Sequence, residues 1–171
     1  MKPQYAQEWP HFFTATIQQW KPLFEEDKYK NIIVDSLKFL VTESMVTINC
    51  FVIMNNHIHI IWQAKGNNTI QKIQTSFLKL TSKELKKLLE EDKNLEVYKV
   101  DAVDRKYNFW KRDSLNIELF TPEVFLQKLH YIHQNPLRAN LCKLSEEYYY
   151  SSALFYEKGI DHFGFIEHYL G

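Results

Sequence analysis

Two apolar runs meet at Asn55-Asn56 in the stretch FVIMNNHIHIIWQ, residues 51–63. Asn tolerates positive φ better than most residues, so this two-residue link predicts a tight hairpin turn. Met45 to Met54 reads as the incoming strand, with Val46, Ile48, Cys50, Val52 and Met54 on one face. The outgoing strand starts at His57. An antiparallel pair so fixed is the frame that the rest of the chain must cover.

Upstream, Phe13, Ala15 and Ile17 alternate with Thr14, Thr16 and Gln18, as a strand with one buried face does. Tyr29, Ile33, Leu37 and Leu40 recur at helical spacing, so Asp27 to Leu40 reads as an amphipathic helix. Downstream, Thr69 can cap a helix through Ile70, Ile73 and Phe77. Thr81 and Glu84 have capping-box spacing, either for its continuation or for a new helix through Leu85, Leu88 and Leu89. Glu90 to Asp104 is charged and weakly patterned, a long irregular connection. A last strand is expected between Phe109 and Phe120. Thr121-Pro122 then starts a helix with Phe125, Leu129 and Ile132 as its core stripe. Pro136 is expected to stop it. The order strand, helix, two-stranded hairpin, helix, strand, helix predicts an α+β fold. It has a ferredoxin-like βαββαβ core with an antiparallel sheet, plus a C-terminal helix and tail.

The 171 residues suit one domain, 1–171, able to bury a core without disulfide staples. Cys50 and Cys142 form no CxxC pair. The opening MKPQYAQEWP carries no basic-then-apolar signal pattern, and no apolar run approaches the ~20 residues that span a bilayer. A soluble cytoplasmic protein with no membrane partner is expected. Lys plus Arg equals Asp plus Glu at 21 each, so no overall basic excess points to nucleic acid. The average hides an uneven distribution. Arg105, Lys106, Lys111 and Arg112 cluster, whereas Glu146, Glu147, Glu157, Asp161 and Glu167 make the C-terminal end acidic.

His57 and His59 are two residues apart on a strand and project from one face, ~7 Å apart along it. Ile58, Ile60 and Trp62 take the other face, assigned to the core. Two imidazoles so placed can converge on one metal ion, although an isolated HxH is often a pair of surface histidines. Tyr131 and Asn135, in YIHQNP, stand one above the other at i and i+4 on the last helix, beside its core stripe. If that face meets the histidines, Asn135 can complete a coordination set with Tyr131 next to the ion.

Taken together, MNNHIHII, FWKRDS and YIHQNPLRANLC resemble the HUH single-tyrosine transposases, and among them the REP-associated tyrosine transposases. The resemblance covers roughly residues 10–156. It implies a divalent metal, Mn2+ or Mg2+, held by His57, His59 and Asn135, and a nucleophilic Tyr131. It also implies a bacterial protein that meets the nucleoid when on DNA. Lys111 and Arg112, next to Phe109 and Trp110, suit single-stranded DNA, with cations on phosphates and rings on bases. Trp110 also fits a core position. Arg138 is a further phosphate candidate. Lys79 is another, or part of an ordinary solvated face. Tyr148, Tyr149 and Tyr150 lack the helix-plus-amide context.

The implied activity is single-strand DNA cleavage and strand transfer through a 5′-phosphotyrosine, with a hairpin as the recognised element and a monomer or homodimer as the working form. Other readings are a non-cleaving hairpin binder derived from a transposase and a metal-dependent hydrolase built on the HxH pair. A replication initiator or relaxase would share the metal chemistry but usually carries more chain. The hydrolase needs a carboxylate or other base brought in from elsewhere, since the HxH stretch has none.

Overall fold

The computed structural model describes residues 8–171. Residues 1–7, which hold most of the stretch read for a signal pattern and the start of the predicted domain, lie outside them. The elements follow the expected order. They are β1 (His11–Thr16), α1 (Asp27–Thr42), β2 (Val46–Ile53), β3 (His57–Ala64), α2 (Ile70–Glu91), β4 (Leu115–Glu118), α3 (Pro122–Arg138) and a short α4 (Ala153–Lys158). The four-stranded sheet has the order β2-β3-β1-β4, and every pairing is antiparallel. This is the predicted ferredoxin-like arrangement.

Alternation along β1 and β3 divides the molecule. Phe13, Ala15, Ile17, Ile58, Ile60 and Trp62 are buried under α1 and α2 in one large cluster with Ile33, Leu37, Ile73 and Phe77. Phe13 stacks on Trp62 at 5.1 Å and Phe77 meets both rings edge-on. Each such fully buried side chain contributes on the order of 2–3 kcal/mol. The opposite face carries Phe12 and Ile61, covered by α3 through Phe125 and Ile132 in a second, smaller cluster. The histidines lie on that second face.

Four details differ from the sequence reading. Cys50, Val52 and Met54 do not share a face with Val46 and Ile48. The register steps from Ile48↔Trp62 to Cys50↔Ile61, so Asn49 is an extra residue in the ladder. This bulge turns the later residues toward α3. Thr81 caps nothing. Helix α2 runs through it, and its hydroxyl donates back to the Phe77 carbonyl at 2.8 Å. Pro136 does not stop α3, which continues to Arg138. A proline this close to the end forfeits one helical bond, and Pro136 is buried. Within 90–104, Leu95–Tyr98 forms a 3-10 turn that buries Leu95 and Tyr98.

The C-terminal tail closes the free edge of β2. Ile53 N–H donates to the Tyr150 carbonyl and Ser152 N–H to that of Phe51. Tyr148 donates its hydroxyl to the Ile53 carbonyl. An open strand edge is a template for aggregation, and the tail removes it. No helix among the described residues is long and apolar enough to cross a membrane.

Candidate active site

The hairpin turn orients the first histidine. Asn56 donates its amide N–H to the Trp20 carbonyl at 3.4 Å, which turns its Oδ1 toward His57 Nδ1, 2.7 Å away. An oxygen there makes His57 Nδ1 the protonated nitrogen and leaves Nε2 with its lone pair. Burial lowers the His57 pKa, opposed by a hydrogen bond with Asn135. The second histidine is oriented from across the sheet. Thr14 is the register partner of His59, and its Oγ1 is 2.6 Å from His59 Nδ1. His59 Nε2 is buried without a partner.

A buried nitrogen left unpaired costs ~1–3 kcal/mol unless something occupies it. His59 is only 5% exposed. Burial first, then the charges of His57, Arg138 and Lys128, push its pKa down to about 3, so the ring is neutral at pH 7. The two rings lie 4.8 Å apart, centroid to centroid. The unpaired His59 Nε2, the His57 imidazole and the Asn135 amide that bonds it form a donor set that fits a divalent metal ion. His57, His59 and Asn135 are the residues that would hold it. No group of three or more His, Cys, Asp or Glu side chains suited to a metal occurs among the described residues, and the third donor here is an amide.

Helix α3 starts at Thr121, whose hydroxyl accepts from Val124 N–H, with Pro122 in its first turn. It carries Tyr131 over this face. The Tyr131 ring meets His59 edge-on at 5.3 Å and Phe12 at 6.1 Å, and the residue is 40% exposed. Two cations bracket it. Arg138 Cζ lies 4.4 Å from the ring centroid, and Lys128 Nζ lies 5.8 Å from it. An open cleft of ≈520 Å3 runs over the site, bounded by His57, His59, Tyr131, Asn135, Lys128, Arg138 and, at one end, Trp20. No carboxylate lines it among the described residues.

Tyr131, His57, His59, Asn135 and Arg138 therefore converge as the sequence suggested. Three of the DNA-contact candidates do not join them. Trp110 is 5% exposed, packed in the core, and donates its indole N–H to Thr81 at 3.0 Å. It cannot stack on a base. Lys79 is exposed on α2, on the far side of the sheet from the histidines. Arg112 borders a neighbouring depression with Lys111, Gln18 and Arg105 rather than the cleft. Lys111 reaches toward the site, its Nζ 6.0 Å from the Trp20 ring.

Thr14, Lys128 and Trp20 escaped the sequence reading. Strand alternation puts Thr14 on the histidine face, and Lys128 lies three residues before Tyr131 on one helix surface, so both were recoverable. Trp20 had no such signal. It ends a 3-10 turn in which Gln19 and Trp20 both take left-handed backbone conformations, φ 57° and 56°. His133, beside Tyr131 in sequence, points away into a buried cluster with Cys50 and Ser152, whereas His130 is exposed.

No protein-family model matches this sequence, and no curated protein sequence does. Among solved structures, the chain is similar to a REP-associated tyrosine transposase bound to a REP hairpin. The TM-score is 0.65 and the identity 14%, over 98% of this chain and 90% of that one. It is also similar to a protein assigned as a transposase from Deinococcus radiodurans R1, with a TM-score of 0.53 and 10% identity over 78% of this chain and 95% of that one. At these identities the likeness is one of fold. The chain shares its architecture, a four-stranded antiparallel sheet with helices on both faces, with these two structures.

Proposed function

We propose that this protein cleaves and rejoins single-stranded DNA beside a hairpin, with Tyr131 as nucleophile and a divalent metal ion as its only cofactor. The observation that carries this reading is the meeting of Tyr131 with His59, 5.3 Å ring to ring, where His59 has an unpartnered buried Nε2. The hairpin held by the structurally similar REP-associated transposase supports the choice of substrate.

Tyr131 Oη attacks a backbone phosphorus. An Oη–P bond forms and the P–O3′ bond breaks, the phenolic proton passes to water, and the departing O3′ takes one from water. The DNA 5′ end is then esterified to Tyr131. A 3′-hydroxyl of another strand can reverse the attack, because the ester conserves the bond. Arg138 and Lys128 offer charge-assisted hydrogen bonds to the phosphate oxygens. Thr14 and Asn56 hold the two imidazoles with Nε2 directed to the site. The metal ion, when bound, supplies Lewis-acid polarisation of the phosphate. Two nitrogen donors favour manganese over magnesium, which prefers oxygen. Among the described residues the lining holds no carboxylate, which disfavours a hydrolase that needs a carboxylate base.

Labelled hairpins from the DNA flanking the gene, incubated with protein and manganese, test this directly. A covalent band on a denaturing gel, lost in Tyr131→Phe and on chelation, is expected. Hairpin binding without an adduct from any oligonucleotide would instead assign the protein as a non-cleaving binder.

A further inference from the structure

The exposed indole at the end of the cleft has no structural use that accounts for it. Trp20 is 58% exposed, so its ring adds little to the core. Its backbone is nevertheless held in a left-handed conformation that bulky residues avoid. Hydrogen bonds impose that conformation. Trp20 N–H donates to the Ile17 carbonyl at 2.9 Å, and the Trp20 carbonyl accepts from Asn56, the residue that orients His57. The ring meets His57 edge-on at 6.3 Å. The cleft lining thus includes a flat aromatic face carried on a hydrogen-bonded backbone, its centroid 6.3 Å from that of His57.

The surroundings say what the face suits. Lys111 N–H donates to the Thr16 carbonyl at 2.7 Å, which ties the segment before β4 to the end of β1, and its ammonium lies 6.0 Å from the Trp20 centroid. A ring flanked by a cation is the arrangement that binds single-stranded nucleic acid, the ring taking a base and the cation a phosphate. Resting on the function proposed above, we infer that Trp20 is the stacking platform for an unpaired base next to the phosphate attacked by Tyr131, with Lys111 on the adjoining phosphate. Trp20 thereby fixes which phosphate meets the tyrosine. This is the aromatic contact for which Trp110 was a candidate, supplied by a residue from a different part of the chain.

The probe is a hairpin oligonucleotide with a randomised single-stranded flank, from which the sequences bound by the wild-type protein are recovered and then scanned with single abasic positions. Binding and adduct yield are measured for wild type, Trp20→Phe and Trp20→Ala. Thermal melts should be unchanged, because the ring is exposed. Stacking on a ring is worth ~5- to 100-fold in affinity per base. Trp20→Ala should lose a factor of that size and Trp20→Phe only part of it. One abasic position should cost the wild type the same factor and cost Trp20→Ala nothing further, while the cleavage position spreads over neighbouring phosphates in Trp20→Ala. Wild-type adduct formation with unchanged binding and cleavage position in Trp20→Ala would overturn the platform and leave the proposed function standing. Losses that add independently at every abasic position would overturn it too. A wild-type protein that neither binds nor forms an adduct with any probe would overturn both.

Discussion

Thr14 and His59 face each other across β1 and β3, and the threonine hydroxyl lies 2.6 Å from the histidine Nδ1. The pairing fixes which nitrogen of His59 looks into the cleft. A backbone register thus sets the chemistry of a ring, since a one-residue slip would turn His59 into the apolar layer under α1 and α2.

Replacing Thr14 by Val keeps the shape and removes the hydrogen bond. Outer partners of metal-ligating histidines typically matter by about 10–100-fold in metal affinity. Manganese titration by calorimetry should show a loss of that order in Thr14→Val and recovery in Thr14→Ser. Equal affinities in all three proteins would mean that His59 is not a ligand.

Acid should weaken the fold through its buried imidazoles. His59 and His133 are each 5% exposed, and burial lowers their pKa values to about 3 and about 4 from an unfolded 6.5. A lowered folded-state pKa means that the unfolded chain binds more protons below pH 6.5. The stabilisation is therefore complete above that pH and is lost as pH falls toward 4. Each ring contributes a slope of up to ~1.4 kcal/mol per pH unit. Urea melts at pH 7 and pH 5 should differ by about 3–4 kcal/mol. A flat profile would show that the rings are not held neutral.

Much of this molecule was legible before its structure. The hairpin at Asn55-Asn56, the alternation in β1 and the stripes of α1 and α3 are local patterns, and their order specifies the sheet. The convergence of His57, His59, Tyr131 and Asn135 followed from two periodicities and from one helix covering one sheet face. What was not legible depends on contacts distant in sequence. The bulge at Asn49 reassigns Cys50, Val52 and Met54, with Asn49 bonded to the Glu167 carbonyl and Tyr156 to its own. Trp110 takes the core position that the sequence also allowed, and Trp20, which carried no sequence signal, lines the cleft; nothing local distinguishes an indole beneath α2 from one at a cleft mouth.

The core placement of Trp110 is measurable. Trp110 fills space beside Phe24 and Phe77 and bonds Thr81. Trp110→Ala should cost ~3–5 kcal/mol in denaturant, as large-to-small core changes do. Hairpin affinity per folded molecule, measured at low temperature, should not change. A loss of affinity with unaltered stability would return Trp110 to the DNA surface.

Ser152 ties the tail to β2 and α3 from a fully buried position. Its hydroxyl accepts from Phe51 N–H at 3.0 Å and lies 2.9 Å from His133 Nε2 and 3.3 Å from Cys50 Sγ. Ser152→Ala leaves the Phe51 N–H unpaired in the interior and His133 Nε2 with only the Cys50 Sγ contact at 3.3 Å, a loss of ~1–3 kcal/mol. Chemical denaturation reads the effect. A neutral outcome would mean that water or Cys50 takes over both bonds.

Arg138 is bound to the helix turn that carries Tyr131. Its guanidinium donates to the Tyr131 carbonyl at 2.9 Å and lies against the Tyr131 ring. The contact leaves further N–H donors free, in a planar fork that suits phosphate. Removing one charge-assisted bond costs ~1.5–3 kcal/mol, or roughly 10- to 150-fold. Arg138→Ala should lower adduct formation by a factor in that range. It should also reduce the salt slope of single-strand binding by ~0.7, the share of one phosphate contact. Arg138→Lys restores the charge without the fork, so the salt slope should return while the adduct rate recovers only in part. If Arg138→Ala changes stability but leaves the salt slope intact, the arginine braces α3 and does not touch DNA.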